Sequence, residues 1–186
     1  MVLPIYIYGQ PVLRKVAEDV ELNKEELEPL IADMFATLEV SEGVGLAAPQ
    51  IGRAIRVVVV DLSMLAEDLP EYKDFRHAYI NGHIVEASEE TDTMSEGCLS
   101  LPGITEEVTR PKRVRIQYYD EELQPRDEWV DGFLARVLQH EHDHLEGRVF
   151  TDRISPFRRT MIKSKLTAFL KGKARCHYKV KTVKKS

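Results

Sequence analysis

The sequence predicts a single α+β domain in which short antiparallel or mixed β-sheets pack around a central helix that carries an H-E-x-x-H motif, followed by a C-terminal helix. Three observations support this class. A length of 186 residues suits one compact unit. β-branched runs in the middle of the chain are typical of strands, and apolar residues at helical spacing occur near both ends. We expect the folded domain to span residues 1–170 and residues 171–186 to form a basic, flexible tail.

The elements are predicted in order along the chain. Residues 24–40 carry apolar side chains at three- and four-residue spacing and glutamates in the first turn, which favours a helix. The glycine- and proline-rich segment that follows, up to residue 52, is not expected to form a long regular element. Strands are predicted over residues 55–61, 79–87, 91–97, 108–109, 114–119 and 128–130.

Two helices are predicted after the strands. The first covers residues 132–146, with Asp131 as its N-cap and Gly147 at its end. The second covers residues 156–170, begins at a proline and is followed by Gly172. Between the first two strands, the polar and acidic residues 63–77 predict a surface excursion.

The charge is distributed unevenly along the chain. Residues 153–186 contain 12 of the 26 Lys and Arg and none of the 31 Asp and Glu. A basic tail on an acidic body is typical of a tail that meets a polyanion, although a solvated tail is an equal alternative.

Other features limit the class of protein. No apolar run approaches the roughly 18 residues of a membrane span, and the N-terminus lacks the basic region of a signal peptide. Two cysteines cannot form a disulfide scaffold. We therefore expect a cytoplasmic protein with no membrane partner.

The strongest chemical signal is the H-E-x-x-H motif at residues 140–144. On a helix, His144 lies about 40° from His140 and one turn further on, so both imidazoles can reach one metal ion. Glu141 lies about 60° from His144 and can flank the ion as a general base without being a ligand. Asp143 can either orient His140 or remain a solvated carboxylate.

A catalytic metal site of this kind needs a third protein ligand. The chain after Asp152 has no carboxylate side chain, so the ligand is expected upstream. Cys98 is the candidate because it lies in a glycine-flanked loop after a predicted strand. A lone cysteine is more often a small buried apolar residue than a metal ligand. Together with the H-E-x-x-H motif, the metal-ligand interpretation is favoured. By ligand type alone, one thiolate and two imidazoles suit zinc.

Three motifs occur together in the chain: residues 43–50 read GVGLAAPQ, residues 96–100 read EGCLS and residues 140–144 read HEHDH. In these motifs and their order the chain resembles the peptide deformylases, over roughly residues 3–170. The resemblance implies one catalytic domain and an enzyme that removes the N-formyl group from the formyl-methionine of newly synthesised proteins, releasing formate. Residues 63–77 look like an insertion relative to shorter members.

The resemblance also implies roles for individual residues. The ligands of a divalent ion would be Cys98, His140 and His144. The native ion would be ferrous iron (Fe²⁺), with Zn²⁺, Ni²⁺ or Co²⁺ as substitutes. Glu141 would be the general base, and the Gln50 side chain and the Leu99 backbone N–H would stabilise the oxyanion. The alternative for Gln50 is a loop glutamine that bonds to the backbone.

Substrate-binding residues are predicted from the same motifs. Gly45 is expected to let the substrate backbone approach as an added strand. Val44, Phe133 and Val137 are candidates for the methionine pocket and are equally explicable as ordinary core. The resemblance further implies an ion pair between Glu96 and Arg110 that supports the site.

The predicted partners are N-formyl-methionyl nascent polypeptides and the ribosome surface, reached through the basic C-terminus; no sequence-specific nucleic acid is expected. Deletion of residues 171–186 should therefore weaken ribosome binding without changing turnover of a short formyl peptide.

Two other functions are weighed. A peptidase that cleaves internal bonds is disfavoured by the cysteine ligand, and a purely structural metal site is disfavoured because the motifs offer no fourth ligand.

Overall fold

The computed structural model describes residues 1–184, and within them the chain forms nine strands and four α-helices. The strands are β1 (Ile5–Tyr6), β2 (Gly45–Ala47), β3 (Val57–Asp61), β4 (Arg76–Ala87), β5 (Thr91–Cys98), β6 (Leu101–Pro111), β7 (Val114–Tyr119), β8 (Pro125–Val130) and β9 (Val180–Lys181). The helices are α1 (Lys24–Ser41), α2 (Gly132–Leu145), α3 (Pro156–Met161) and α4 (Lys163–Leu170). The predicted α+β class is confirmed.

A five-stranded antiparallel sheet, in the order β2-β3-β4-β7-β8, separates two apolar clusters. Side chains alternate across β3: Val57 and Val59 pack with α1, whereas Val58 and Val60 pack with α2. Because both faces are covered, all four valines are buried, which explains a continuous β-branched run in place of an alternating one. The helix with the H-E-x-x-H motif therefore lies directly against the sheet.

The hairpin β5–β6 forms a separate two-stranded sheet that ends beside α2. Its register is regular from Thr91 to Gly97 and shifts at Cys98, which pairs with Leu101. Apolar side chains of β6 pack against the segment that follows α2, including Phe150, and against Phe169 of α4. The hairpin thus brings Cys98 to α2, where its Sγ contacts His144.

The two ends of the chain pair with each other. β1 and β9 are parallel, with Ile5 opposite Val180 and Tyr6 opposite Lys181. Residues 180–181 of the segment expected to be a flexible tail therefore pair with the N-terminal strand β1. The predicted tail also includes Lys185 and Ser186, which lie outside the described residues.

Several element boundaries differ from their predictions. The helix predicted over residues 156–170 is interrupted at Ile162, which separates α3 from α4. Asp131 is the N-cap of α2, as predicted, but its side chain makes no capping hydrogen bond. The excursion over residues 63–77 contains two 3₁₀ turns, and its Tyr72 is buried in the cluster beneath α2. No α-helix in residues 1–184 is both long enough and apolar enough to span a membrane.

Candidate metal centre and substrate cavity

The two motif histidines lie one turn apart on α2 and face the hairpin. Their rings are 5.2 Å apart, and both residues are buried, His144 almost completely. α2 ends immediately after them at Leu145, and Gly147, two residues further on, has a φ of +73°. A β-carbon at Gly147 would lie 2.6 Å from the Arg14 carbonyl oxygen, so glycine is required there both for its dihedral angle and for space.

Cys98 reaches the histidines from the end of β5. Its Sγ lies 3.3 Å from His144 Nε2, and one donor atom each of Cys98, His140 and His144 lie within 4.8 Å of one another. One sulfur and two imidazole nitrogens at this separation form a suitable donor set for a transition-metal ion. The three residues selected from the sequence as ligands are therefore brought together by the fold.

Glu96 orients His140. Its Oε1 lies 2.8 Å from His140 Nδ1, which leaves Nε2 directed towards the cluster. Arg110 donates two hydrogen bonds to the same carboxylate, at 2.7 and 2.9 Å, so the predicted Glu96–Arg110 ion pair is present. Burial alone would raise the pKa of Glu96, but the hydrogen bonds from His140 and Arg110 lower it well below its usual range, so the carboxylate is charged.

Asp143 has a different role from either of those considered from the sequence. It is buried, not solvated, and it accepts hydrogen bonds from Arg153 at 2.6 Å and from Arg110 at 2.9 Å. It makes no hydrogen bond with His140 among the described residues. Asp143 therefore positions Arg110. It affects the predicted ligand His140 only indirectly, through Arg110 and Glu96.

Glu141 lies in the cavity with one carboxylate oxygen free of partners. Its Oε2 is buried and has no hydrogen-bond partner within residues 1–184. Burial raises the pKa of Glu141 to about 7, although the charge of nearby His140 acts in the opposite direction. An unpaired buried oxygen is costly unless something binds it, so this carboxylate is suited to a water or a substrate atom.

Gly45 makes room for Glu141. A β-carbon at this position would lie 2.8 Å from Glu141 Oε1 and 2.9 Å from Val137 Cγ1. The sequence suggested that this glycine admits a substrate backbone. The structure supplies a reason that does not depend on substrate, because any side chain would displace the carboxylate.

Gln50 makes both the backbone contact and the contact with the site. Its Oε1 accepts the N–H of Ala47 at 3.0 Å, which turns the amide nitrogen towards the hairpin. Nε2 donates to Ser100 Oγ at 3.1 Å and lies 3.6 Å from Cys98 Sγ. The backbone bond considered as the alternative role of Gln50 is therefore present, and it turns the amide nitrogen towards the cluster of Cys98, His140 and His144.

A cavity of about 490 Å³ opens onto this centre and contains every candidate substrate contact. Its walls include Cys98, His140 and Glu141 together with the predicted Val44, Gly45, Leu99, Phe133 and Val137. Residues 175–178 also line the cavity, a contribution that the sequence analysis missed. The signal was available: Tyr178, Val180 and Thr182 alternate with lysines at the period of a strand.

A thiolate, two imidazoles one helical turn apart and a buried carboxylate beside them define the class of metal-dependent hydrolases. Comparison with known proteins gives the family. The model of the family described as polypeptide deformylase matches residues 2–160, and the chain belongs to that family. Its members are hydrolases of class EC 3.5.1.88, which depend on a metal ion and remove the N-formyl group from nascent polypeptides.

Individual relatives agree over nearly the whole chain. The peptide deformylase of Flavobacterium psychrophilum is 43% identical over 192 residues, covering 100% of this chain and 99% of the relative. That of Salinibacter ruber is 42% identical, covering 98% and 95%. Among solved structures, the peptide deformylase of Thermus thermophilus has a TM-score of 0.82 at 39% identity, covering 93% of this chain and 100% of its own.

Proposed function

We propose that the cavity binds the N-terminus of a formyl-methionyl chain and that the residues around it carry out the deformylation typical of the family. The observation that carries this proposal is the buried cluster of Cys98, His140 and His144, which lies beside a Glu141 oxygen without a partner. In this assignment the cluster holds the ion and Glu141 transfers the proton.

Ferrous iron is proposed as the native ion, with Zn²⁺, Ni²⁺ or Co²⁺ as substitutes. Membership of the family supports iron, whereas the donor set of one thiolate and two imidazoles suits zinc equally well. When bound, such an ion supplies a Lewis acid that makes water a stronger nucleophile at neutral pH and polarises the formyl carbonyl.

Glu141 is assigned as the group that moves the proton. A pKa of about 7 suits a carboxylate that first accepts a proton and then returns it. Glu141 takes a proton from the attacking water and later delivers it to the departing amine. The C–N bond of the formamide breaks, and the products are formate and a free N-terminal amino group.

Gln50 and Leu99 are assigned as the donors that stabilise the oxyanion. The bond from Ala47 N–H holds the Gln50 amide with its nitrogen towards Cys98. Leu99 directly follows Cys98, so its backbone N–H is carried by the same loop as the thiolate. Preorganised donors of this kind typically contribute about 10²–10³-fold in rate each.

Val44, Phe133 and Val137 are assigned to the methionine side chain. All three line the cavity, and the latter two lie on α2 about two turns and one turn before His140. Gly45 lines the same wall, where an incoming backbone would pass close to Glu141. An apolar pocket next to the proton-transfer group selects a chain that begins with formyl-methionine.

The test is formate release from formyl-Met-Ala-Ser by the ferrous protein under anaerobic conditions. Glu141→Gln should keep its metal content and melting temperature but lose about 10²–10⁴-fold in rate, the usual size of a general acid–base contribution. Glu39→Gln, at an exposed position of α1, is the control and should behave as wild type. Loss of metal from the Glu141 variant, or retained activity, would refute the assignment.

A second part of the proposal concerns the ribosome and the cytoplasm, where nascent chains are made. Lys163, Lys171 and Lys173 line a surface depression of about 550 Å³ along α4, where they could meet phosphates of RNA. A tail deletion cannot test this, because residues 175–178 also line the substrate cavity.

Lysine-to-glutamate changes at positions 163, 171 and 173 give a cleaner test. They should weaken ribosome binding and flatten its dependence on salt, while formyl-peptide turnover stays the same. Lys24→Glu, at the start of α1, is the control for a single charge reversal and is compared with Lys163→Glu alone as well as with the triple variant. Undiminished ribosome binding by the triple variant at every salt concentration would refute docking through this surface.

A further inference from the structure

The loop between β5 and β6 carries two functional groups in consecutive residues. Cys98 supplies the thiolate, and Leu99 supplies the backbone N–H assigned to the oxyanion. A backbone donor cannot be oriented by choice of rotamer; its direction follows from the dihedral angles of the loop. Contacts that hold the carbonyls of Leu99 and Ser100 restrict these dihedral angles and therefore constrain the direction of the N–H.

Both ends of the chain hold this loop. The Tyr178 hydroxyl donates to the Leu99 carbonyl at 2.6 Å. The backbone N–H of Tyr8, just after β1, donates to the Ser100 carbonyl at 2.9 Å. Gln50 Nε2 adds a bond to the Ser100 side chain at 3.1 Å. The loop is thus fixed from three directions, and two of them come from the chain termini.

Tyr178 is itself held in place by the pairing of the termini. The N–H groups of Ile5 and Ile7 donate to the carbonyls of Lys179 and Lys181 at 2.9 and 3.0 Å, on either side of Val180. Gln10 Nε2 donates to the carbonyl of Thr182 at 2.8 Å. These bonds fix the backbone that follows Tyr178.

The surroundings of the Tyr178 ring make its hydroxyl a dependable donor. The ring is half-buried and packs, like Leu99, against the apolar cluster between α1 and the sheet. Burial raises the pKa of the phenol above its usual range, so the hydroxyl remains protonated at any pH at which the enzyme works.

We propose that Tyr178 is a positioning residue for the deformylation reaction: by holding the Leu99 carbonyl, it directs the Leu99 N–H towards the oxyanion. The proposal rests on the role assigned to Leu99 under the proposed function. It gives the segment after α4 a catalytic purpose that is separate from any charge interaction with RNA.

Tyr178→Phe tests this proposal because it removes the hydroxyl and keeps the ring, the strand pairing and the cavity wall. The matched control is Tyr6→Phe, in the paired strand β1. The Tyr6 ring lies 5.2 Å from Lys181 Nζ, and its hydroxyl is beside Gly52 and not at the loop. Both variants lose one phenolic hydroxyl, at Tyr6 in β1 and at Tyr178, two residues before β9.

The expected result is a selective loss of transition-state binding. For formyl-Met-Ala-Ser, the Tyr178→Phe kcat should fall about tenfold while KM changes by less than about twofold, because only a donor used in the transition state is displaced. A phosphonate analogue of the tetrahedral intermediate should bind more weakly by about the same factor. Metal content and melting temperature should match those of Tyr6→Phe and wild type.

Two measurements separate positioning from a structural role. In metal-free protein, the amide protons of Leu99 and Ser100 should exchange faster in Tyr178→Phe than in Tyr6→Phe. Incorporation of 4-aminophenylalanine at position 178 restores a donor and should recover most of the lost kcat. This rescue also covers the case in which the phenylalanine variant folds poorly.

The outcomes that overturn the proposal are distinct from failure of the function itself. A Tyr178→Phe enzyme with wild-type kcat and wild-type affinity for the phosphonate would overturn it. So would a loss of kcat matched by loss of bound metal, since Tyr178 would then serve Cys98 and not Leu99. If wild-type protein released no formate, the proposed function would fail, whatever the variants did.

Discussion

Replacement of Glu96 by glutamine is expected to weaken metal binding and destabilise the protein at the same time. Glu96 is buried and accepts four hydrogen bonds through its two oxygens, from His140, twice from Arg110, and from Arg136 at 2.7 Å. Each oxygen accepts two of these bonds. Whichever oxygen becomes the amide nitrogen of glutamine, two bonds are lost and a donor faces other donors.

The structure sets the magnitude. Arg110 and Arg136 are 2% and 4% exposed, and loss of the Glu96 charge would leave these buried guanidinium groups with Asp143 and Asp92, respectively, as their remaining carboxylate partners among the described residues. Loss of one partner from a buried ion pair costs about 3–5 kcal/mol. At about 2–4 °C per kcal/mol for a domain of this size, the melting temperature should fall by roughly 6–20 °C. Loss of the carboxylate behind His140 should lower metal affinity about 10–100-fold.

The assay must separate the two effects, because bound metal itself raises apparent stability. Melting temperature is therefore measured by calorimetry on metal-free protein, and affinity by competition with a chelator at constant pH. Glu106→Gln is the matched control in the same hairpin. Glu106 also accepts two hydrogen bonds from one arginine, Arg158, but that side chain is 49% exposed and far less costly to leave unpaired.

The prediction fails if Glu96→Gln binds metal as tightly as wild type. It also fails if Glu96→Gln and Glu106→Gln lower the melting temperature equally. Either result would mean that the buried charge network does not orient His140 in the way its hydrogen bonds indicate.

Three further perturbations have defined outcomes. Gly45→Ala should cost about 1–3 kcal/mol of stability and lower kcat, because its methyl group would lie 2.8 Å from Glu141 Oε1. Burial lowers the pKa of His142 to about 4, and its Nε2 accepts the Ile84 N–H at 3.4 Å. The unfolded chain therefore binds the extra proton first as pH falls below about 6.5, and stability of on the order of 3 kcal/mol should be lost between there and pH 4. Ferrous enzyme should lose activity in air far faster than nickel enzyme, because the Cys98 thiolate lies in an open cavity.

Each of these outcomes can be contradicted by one comparison. The Gly45→Ala prediction is contradicted if kcat and the urea denaturation midpoint are both the same as in wild type. The His142 prediction is contradicted if the denaturation midpoint of a His142→Gln variant depends on pH as steeply as that of wild type. The prediction about the Cys98 thiolate is contradicted if the iron and nickel forms have equal lifetimes in air.

Local sequence patterns predicted the elements whose geometry is local. The H-E-x-x-H spacing places His140 and His144 on one helical face wherever the helix lies, and α2 begins and ends within one residue of its prediction. β3 and β7 were recognised from their β-branched and alternating residues. β1 and β2 were missed because strands of two or three residues have no detectable periodicity of their own. β9 was missed because the alternation around it was interpreted as a basic tail.

Contacts between distant segments were not predictable in the same way. Asp143 is closer to His140 in sequence than Glu96 is, but Glu96 makes the hydrogen bond because β5 approaches α2 from the side of the His140 ring. The basic composition after residue 170 indicated a solvated tail. Strand pairing with β1 overrides that composition because hydrogen bonds to Ile5 and Ile7 satisfy the backbone.

By itself, the sequence determined the α+β class, the choice of Cys98, His140 and His144 as candidate ligands, and the flanking position of Glu141. These follow from residue type and from periodicities that hold over a few residues. Only the tertiary structure decided which carboxylate orients His140, why Gly45 has no side chain, and that Tyr178 reaches the Leu99 carbonyl. Those contacts join residues 44 to 96 positions apart, and their geometry depends on how the sheet, hairpin and helices pack, which no local pattern encodes.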